Sequence, residues 1–324
     1  MDADTSKQRL STVRQMIEHA SRALQQNDAA SALRRLEEAT ASLQPLGDDE
    51  SPERLTLAAS IAEGKGQIAM TQGQAEEAFL QLTQAVALRR REGRASGQPR
   101  LLQIAIGHLN LSAACSQLGR HPEALDESRR ALEALDALGP DKTARFMKLA
   151  GLQSQALLIH RLEPPDHARA AWDRALAFGA ELLGDGLPEV PELLVQIRIH
   201  ASLQRHEQGH AAEARALGLD AAALAWERVE KSGSPRAGQQ YLTAQMNLVT
   251  FCERAGDFGG AEDALFRVLR LVGPDPQVLA RGRALYNHLL TLDDATLAAG
   301  NLPREEVVDS LAELESLARP VAQA

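Results

Sequence analysis

Leu118-Gly119-Arg120-His121-Pro122-Glu123-Ala124-Leu125 carries a helix end and a helix start within one short stretch. Gly119 tolerates the left-handed backbone that closes a helix, and Pro122 suits the first turn of the next, where an N–H has no partner to lose. Gln72-Gly73-Gln74-Ala75-Glu76-Glu77-Ala78 repeats the order 46 residues upstream, and Ala255-Gly256-Asp257-Phe258 runs on to Ala261 in the same way. Aligned on the alanine, six segments emerge at Ala32, Ala78, Ala124, Ala168, Ala214 and Ala261, spaced by 44 to 47 residues.

Two further small positions keep step with this anchor. Seven residues after it stand Ala39, Ala85, Ala131, Ala175, Ala221 and Val268; twelve before it stand Ala20, Gly66, Ser112, Ala156, Ser202 and Val249. Antiparallel helices in close contact need small side chains where their backbones cross. A turn residue, Asn27, Gly73, Gly119, Gly209 or Gly256, precedes five of the six anchors by five positions. Between repeats the chain reads Gly47 to Pro52, Gly97-Gln98-Pro99, Gly139-Pro140, Gly186 to Pro191, Gly233-Ser234-Pro235 and Gly273-Pro274. Ser51-Pro52-Glu53 is predicted to cap a helix with proline in its first turn.

The composition agrees with long helices packed through small residues. Aromatics are 3% of the 324 residues, and 44% hydrophobic with 24% charged content describes a folded soluble chain. Ala and Leu, strong helix formers, dominate, whereas β-branched residues are sparse. A net charge of −9 argues against a nucleic-acid partner, which would require a basic face. The arginine clusters Arg34-Arg35, Arg89-Arg90-Arg91 and Arg129-Arg130 fall on second helices and are predicted to be solvated, with a charged docking patch as the alternative. The polar, acidic N-terminus and the lack of a long apolar run predict no signal peptide and no membrane insertion, and two cysteines too far apart to bridge, Cys115 and Cys252, predict a reducing, cytoplasmic setting.

The turns and small positions over roughly residues 13–272 resemble the tetratricopeptide repeat (TPR) family, in the long-repeat branch that includes kinesin light chain and the Rap-type regulators. The resemblance implies an all-α fold: a right-handed α-solenoid of about seven antiparallel helix pairs. Residues 1–274 would form six repeats of about 46 residues, and 275–324 a seventh pair and solvated cap, with helices over 275–299 and 303–319 joined at Gly300-Asn301-Leu302-Pro303. The unit exceeds the family's usual length, and the family's Trp and Tyr positions on the first helix are empty. The fifth unit is degenerate, with Arg205 and Gly218 where apolar residues are expected, which leaves its register open.

Such folds display surface, and the chemistry-bearing residues support no enzyme reading. His206 and His210 are four apart, but Gly209 breaks the helix that would bring both to a metal, and nothing completes the set. No metal or cofactor is expected. Cys115 and Cys252 share one repeat position, three repeats apart, and are predicted to be buried, unbridged and without a neighbouring cation or histidine to activate them.

Asn110 and Asn247 both stand two residues before the small first-helix position, and Asn287 repeats the feature in the seventh pair. Asparagine is a poor helix-interior residue. In related TPR domains an asparagine here faces the concave groove and pairs with the main chain of a bound peptide; the alternative is a cross-brace to a neighbouring helix. By the same resemblance the groove would be lined by Gln67, Met70, Ile106, Leu109, Gln153, Leu157, His160, Ile199, Leu203, His206, Met246, Thr250 and Arg254. This apolar, amide-rich set suits a protein or peptide partner with an apolar, near-neutral segment. It lacks the carboxylate clamp of chaperone-binding relatives, since Ile17 and Ser21 stand where that clamp needs Lys and Asn. Three functions follow: a non-catalytic scaffold or adaptor holding a polypeptide in its groove, a peptide- or ligand-responsive regulatory switch of Rap type, or a homo-oligomeric assembly factor.

Overall fold

The computed structural model describes residues 3–47 and 50–318, and the end of the final helix expected at Arg319 lies outside them. The described residues form fifteen α-helices, a short 3-10 turn at Gln44–Leu46, and no strand. The chain divides into two compact units at Pro164/Pro165.

The first unit holds α1 (Ala3–Gln25), α2 (Ala29–Leu43), α3 (Pro52–Thr71), α4 (Ala75–Ser96), α5 (Leu101–Gln117), α6 (His121–Asp136) and α7 (Lys142–Leu162). Antiparallel pairs α1/α2, α3/α4 and α5/α6 stack in order, α2 on α3, α4 on α5 and α6 on α7. The second unit holds α8 (Pro165–Leu183), α9 (Val190–Glu207), α10 (Ala211–Ser232), α11 (Pro235–Ala255), α12 (Phe258–Val272), α13 (Pro276–Leu289), α14 (Asp294–Ala299) and α15 (Arg304–Leu317). Here α9/α10 and α11/α12 pair and stack in the same way, and α13 packs against α15. This is a helix-pair solenoid of the TPR type.

All eighteen positions of the repeat register, from Ala20 to Val268, are buried. Ser112 shows why they recur: its Oγ donates to the carbonyl of Ala124 at 2.8 Å, so the anchor and the position twelve before it touch across the α5/α6 crossing. A methyl group added at Gly66 would come within 2.7 Å of Leu82, so the α3/α4 crossing has no room for it.

The turns are equally uniform. Asn27, Gly73, Gly119, Gly209 and Gly256 all have φ between 60° and 80°. In each case the next residue's N–H reaches back five positions, as in Gln74 N to Ala69 O at 2.8 Å and Arg120 N to Cys115 O at 2.9 Å. This is the helix-closing bond of the Schellman motif. The fourth turn differs: Glu163 is extended at φ −119°, and Pro164 and Pro165 have no N–H to give. Ser51 caps α3 with Pro52 in the first turn, as the sequence predicts.

The fifth unit keeps the common register. Gly218 lets α10 approach α11 closely, since an added Cβ would meet Leu248 at 2.9 Å. Arg205 is 2% exposed, and Asp173 at 2.5 Å and Glu213 at 3.3 Å neutralise it. In the seventh pair the first helix stops at Leu289 instead of running to 299. Asp293 caps a new turn of helix by accepting from the N–H of Thr296, and the Arg304 guanidinium bonds the carbonyls of Leu290 and Leu292.

Arg89 is not solvated, contrary to expectation. It is 7% exposed and grips both oxygens of Glu63 at 2.8 Å, Glu92 at 2.9 Å and Ser60 at 3.0 Å. Glu92 in turn accepts from Thr56 at 2.7 Å and forms an ion pair with Arg100 at 2.8 Å, so each charge of the buried cluster has an opposite charge beside it. Burial alone would raise the Glu92 carboxyl; Thr56, Arg89 and Arg100 outweigh it and hold it below the usual range.

Two tests follow. Ala124→Leu is expected to overpack the α5/α6 crossing and lower stability by about 1–3 kcal/mol in denaturant melts. Because Glu92 is depressed in the fold, its contribution is present above the unfolded value of about 4.3 and lost as pH falls through the folded value. Glu92→Gln should therefore destabilise by about 1–3 kcal/mol at neutral pH, because Arg89 keeps Glu63 but loses its second carboxylate, with the difference from wild type shrinking on titration below about pH 4.

Candidate functional site

The expected groove residues all lie on first helices. In the first unit, Gln67 and Met70 are on α3, Ile106, Leu109 and Asn110 on α5, and Gln153, Leu157 and His160 on α7. Gln67, Leu157 and His160 are exposed; the other five are half-buried. Leu109 reaches α7, its Cδ2 lying 3.3 Å from where a Cβ on Gly151 would stand. The Asn110 side chain has no hydrogen bond to any described residue, so no cross-brace to a neighbouring helix forms.

In the second unit, α9 contributes Leu203 and His206, and α11 contributes Met246, Asn247, Thr250 and Arg254. Leu203 and Met246 pack against the same core, and the His206 ring lies 5.0 Å from that of Phe251. Burial, then the charge of Arg254, depresses the His206 imidazole below its usual value. Ile199 alone of the set is buried in the core, which withdraws it from the surface. Asn287 is exposed on α13.

Asn247 is the most telling of these. Its Nδ2 is buried and has no acceptor, a state that costs free energy wherever it persists. A carboxamide offers donors and an acceptor together, the pair that one peptide unit complements.

Sequence reasoning missed a polar cluster beside it. Glu253 accepts from Arg281 at 2.5 Å and from His288 at 2.8 Å, and Arg281 also reaches Thr250 at 3.3 Å. Extending the register of α11 onto α13 from Asn247 to Asn287 would have placed Arg281 and His288 next to that row.

The remaining chemistry is dispersed. His200 stacks on Trp172 with ring centroids 5.7 Å apart, and His210 precedes α10, exposed. Among the described residues no group of three His, Cys, Asp or Glu side chains could hold a metal ion, and no helix is long and apolar enough to cross a membrane. Cys115 and Cys252 are free and buried. The expectation that no cation stands near them is corrected: Arg215, paired with Asp257, lies near the Cys252 thiol, and Arg120 lies near Cys115. Burial nevertheless raises both thiols above the usual value.

With this geometry in hand, comparison with known proteins places the fold. Residues 190–319, less than half of the chain, match a family of unknown function (DUF6483). No curated protein matches the sequence. Among solved structures, BtubC (BKLC) from P. vanneervenii superimposes with a TM-score of 0.58 at 16% identity, over 80% of this chain and 90% of that one. The apo form of RapI gives 0.57 at 11% identity, over 94% and 98%. A putative kinesin light chain with nearly identical TPR-like repeats from Podosopora anserina gives 0.52 at 20% identity, over 69% and 99%. At such identities the likeness is one of fold.

The thiols provide a check on the buried positions. Cys115 and Cys252 are expected to react with a thiol reagent at least about ten times more slowly in the native chain than in denaturant. Rapid native modification of either would place it at an accessible, activated site.

Proposed function

We propose that the chain is a non-catalytic peptide-binding repeat protein whose first-helix rows take a polypeptide segment of apolar, near-neutral character. The observation that carries this reading is the buried, unpaired Nδ2 of Asn247 in the second unit; in the first unit Asn110, at the equivalent repeat position, makes no hydrogen bond to any described residue. Each amide would read main chain, leaving the flanking Leu203, Met246, Ile106 and Leu109 to select apolar side chains.

Within this reading, a regulator that changes shape on binding is favoured over a static adaptor. The support is the match to RapI along nearly the whole of both chains, where the kinesin light chain repeats match only part of this one. A purely homo-oligomeric role is separated by measuring mass in solution.

Peptides selected from a displayed library on the intact chain provide the test. Asn110→Ala or Asn247→Ala should each weaken a selected peptide by about 1–3 kcal/mol in calorimetric titration, with stability unchanged or slightly raised. Intact binding with a weakened fold would make the asparagines structural. A change in small-angle scattering on adding the peptide is expected of a switch; an unchanged profile would favour the adaptor.

A further inference from the structure

A second cleft lies away from the first-helix row, between α10 and α12 with α11 as its floor. It measures about 380 Å³ and is lined by Leu219, Asp220, Trp226, Tyr241, Gln245 and Arg267, among others. We propose that it receives an arginine side chain of a partner polypeptide.

Four features converge on that chemistry. Trp226 is 38% exposed, yet its ring is fixed: the indole N–H donates to Glu230 at 2.8 Å and the ring lies 4.9 Å from that of Tyr241. Tryptophan is the strongest aromatic partner for a cation, and a planar guanidinium stacks on it. Gln245 is 2% exposed, and its Oε1 has no donor from the protein. Asp220 stands exposed with no ion pair within 4 Å among the described residues; the nearby Arg198 guanidinium, which donates to its main-chain carbonyl at 3.1 Å, offsets its charge in part and leaves the carboxylate oxygens open. Leu219, also exposed, offers an apolar wall for a methylene stem.

The charges around the cleft point the same way. Arg267 is matched by Asp263 at 3.4 Å, and Glu230 holds Trp226. Three carboxylates, those of Asp220, Asp263 and Glu230, thus face two guanidiniums, Arg198 and Arg267. An aliphatic occupant would leave the buried Gln245 oxygen without a donor, and an anion would meet the excess of carboxylates. A guanidinium has donors for both residues at once and a flat face for the indole. Gln245 and Asn247 are two apart on α11 and so address different sides of that helix. The cleft is therefore independent of the peptide row.

The full chain labelled with ¹⁵N has two indole N–H signals, from Trp226 and the buried Trp172, which serves as internal control. Titration with N-acetyl-arginine amide is expected to move the Trp226 signal saturably while Trp172 stays. Its half-saturation should lie about tenfold or more below that of N-acetyl-leucine amide, N-acetyl-lysine amide or N-acetyl-glutamate amide. Asp220→Asn and Gln245→Leu should each raise the half-saturation about fivefold or more, and Asn247→Ala should leave it unchanged. If Gln245→Leu does not fold, Asp220→Asn on the exposed rim carries the test. No shift with the arginine amide, equal binding of the lysine or leucine amide, or indifference to Asp220→Asn would each overturn the assignment.

Discussion

Paired helices in this protein approach until backbone meets side chain, and that approach is permitted only where a residue is no larger than its slot. Ser112 bonded to the Ala124 carbonyl and Gly66 facing Leu82 are two versions of the same constraint. Close approach sets the angle of each pair, and each pair leaves an apolar edge that only the next pair can cover. With few aromatics available to fill space, the core depends on aliphatic side chains around these crossings. Stacking then follows from the need to bury each pair's open side.

The same constraint governs where polar residues can enter. The Arg89, Glu63, Glu92 and Arg100 cluster is buried with its charges paired, which removes most of the penalty of desolvation. Arg205 is neutralised in the same fashion by Asp173 and Glu213. Asn247 and Gln245 are different: each hides a carboxamide atom with no partner, one residue on either side of Met246 in α11. The proposed peptide row rests on the first of these amides and the proposed arginine cleft on the second.

The repeat, its turns and its crossings were legible because each is a local demand on one residue type at a fixed spacing. Ten glycines and two asparagines have positive φ, and all twelve fall in turns or linkers that the sequence marks by composition. What escaped reading depends on partners distant in sequence. Nothing local to Arg89 distinguishes it from Arg90 or Arg91; Glu63 lies 26 residues away on the paired helix. The stop of α13 at Leu289 likewise rests on Arg304 folding back onto carbonyls that the helix would otherwise have used. The candidate row was legible as positions, whereas the link from Thr250 through Arg281 to Glu253 and His288 required the register of the irregular last pair.

The helix-closing turns have an evolutionary consequence. Their bond runs from main-chain N–H to main-chain carbonyl, and the residue giving that carbonyl is Ala23, Ala69, Cys115, Arg205 or Cys252 in different repeats. A hydrophobe, a thiol and a guanidinium all occupy one slot without altering the turn, because the side chain takes no part in it. Selection there acts on a glycine and on backbone geometry, leaving most neighbouring positions free to drift. The same architecture can then stand in chains that share only 11% or 20% of their residues with this one, and substitutions accumulating in such a slot can supply new chemistry without first destabilising the scaffold.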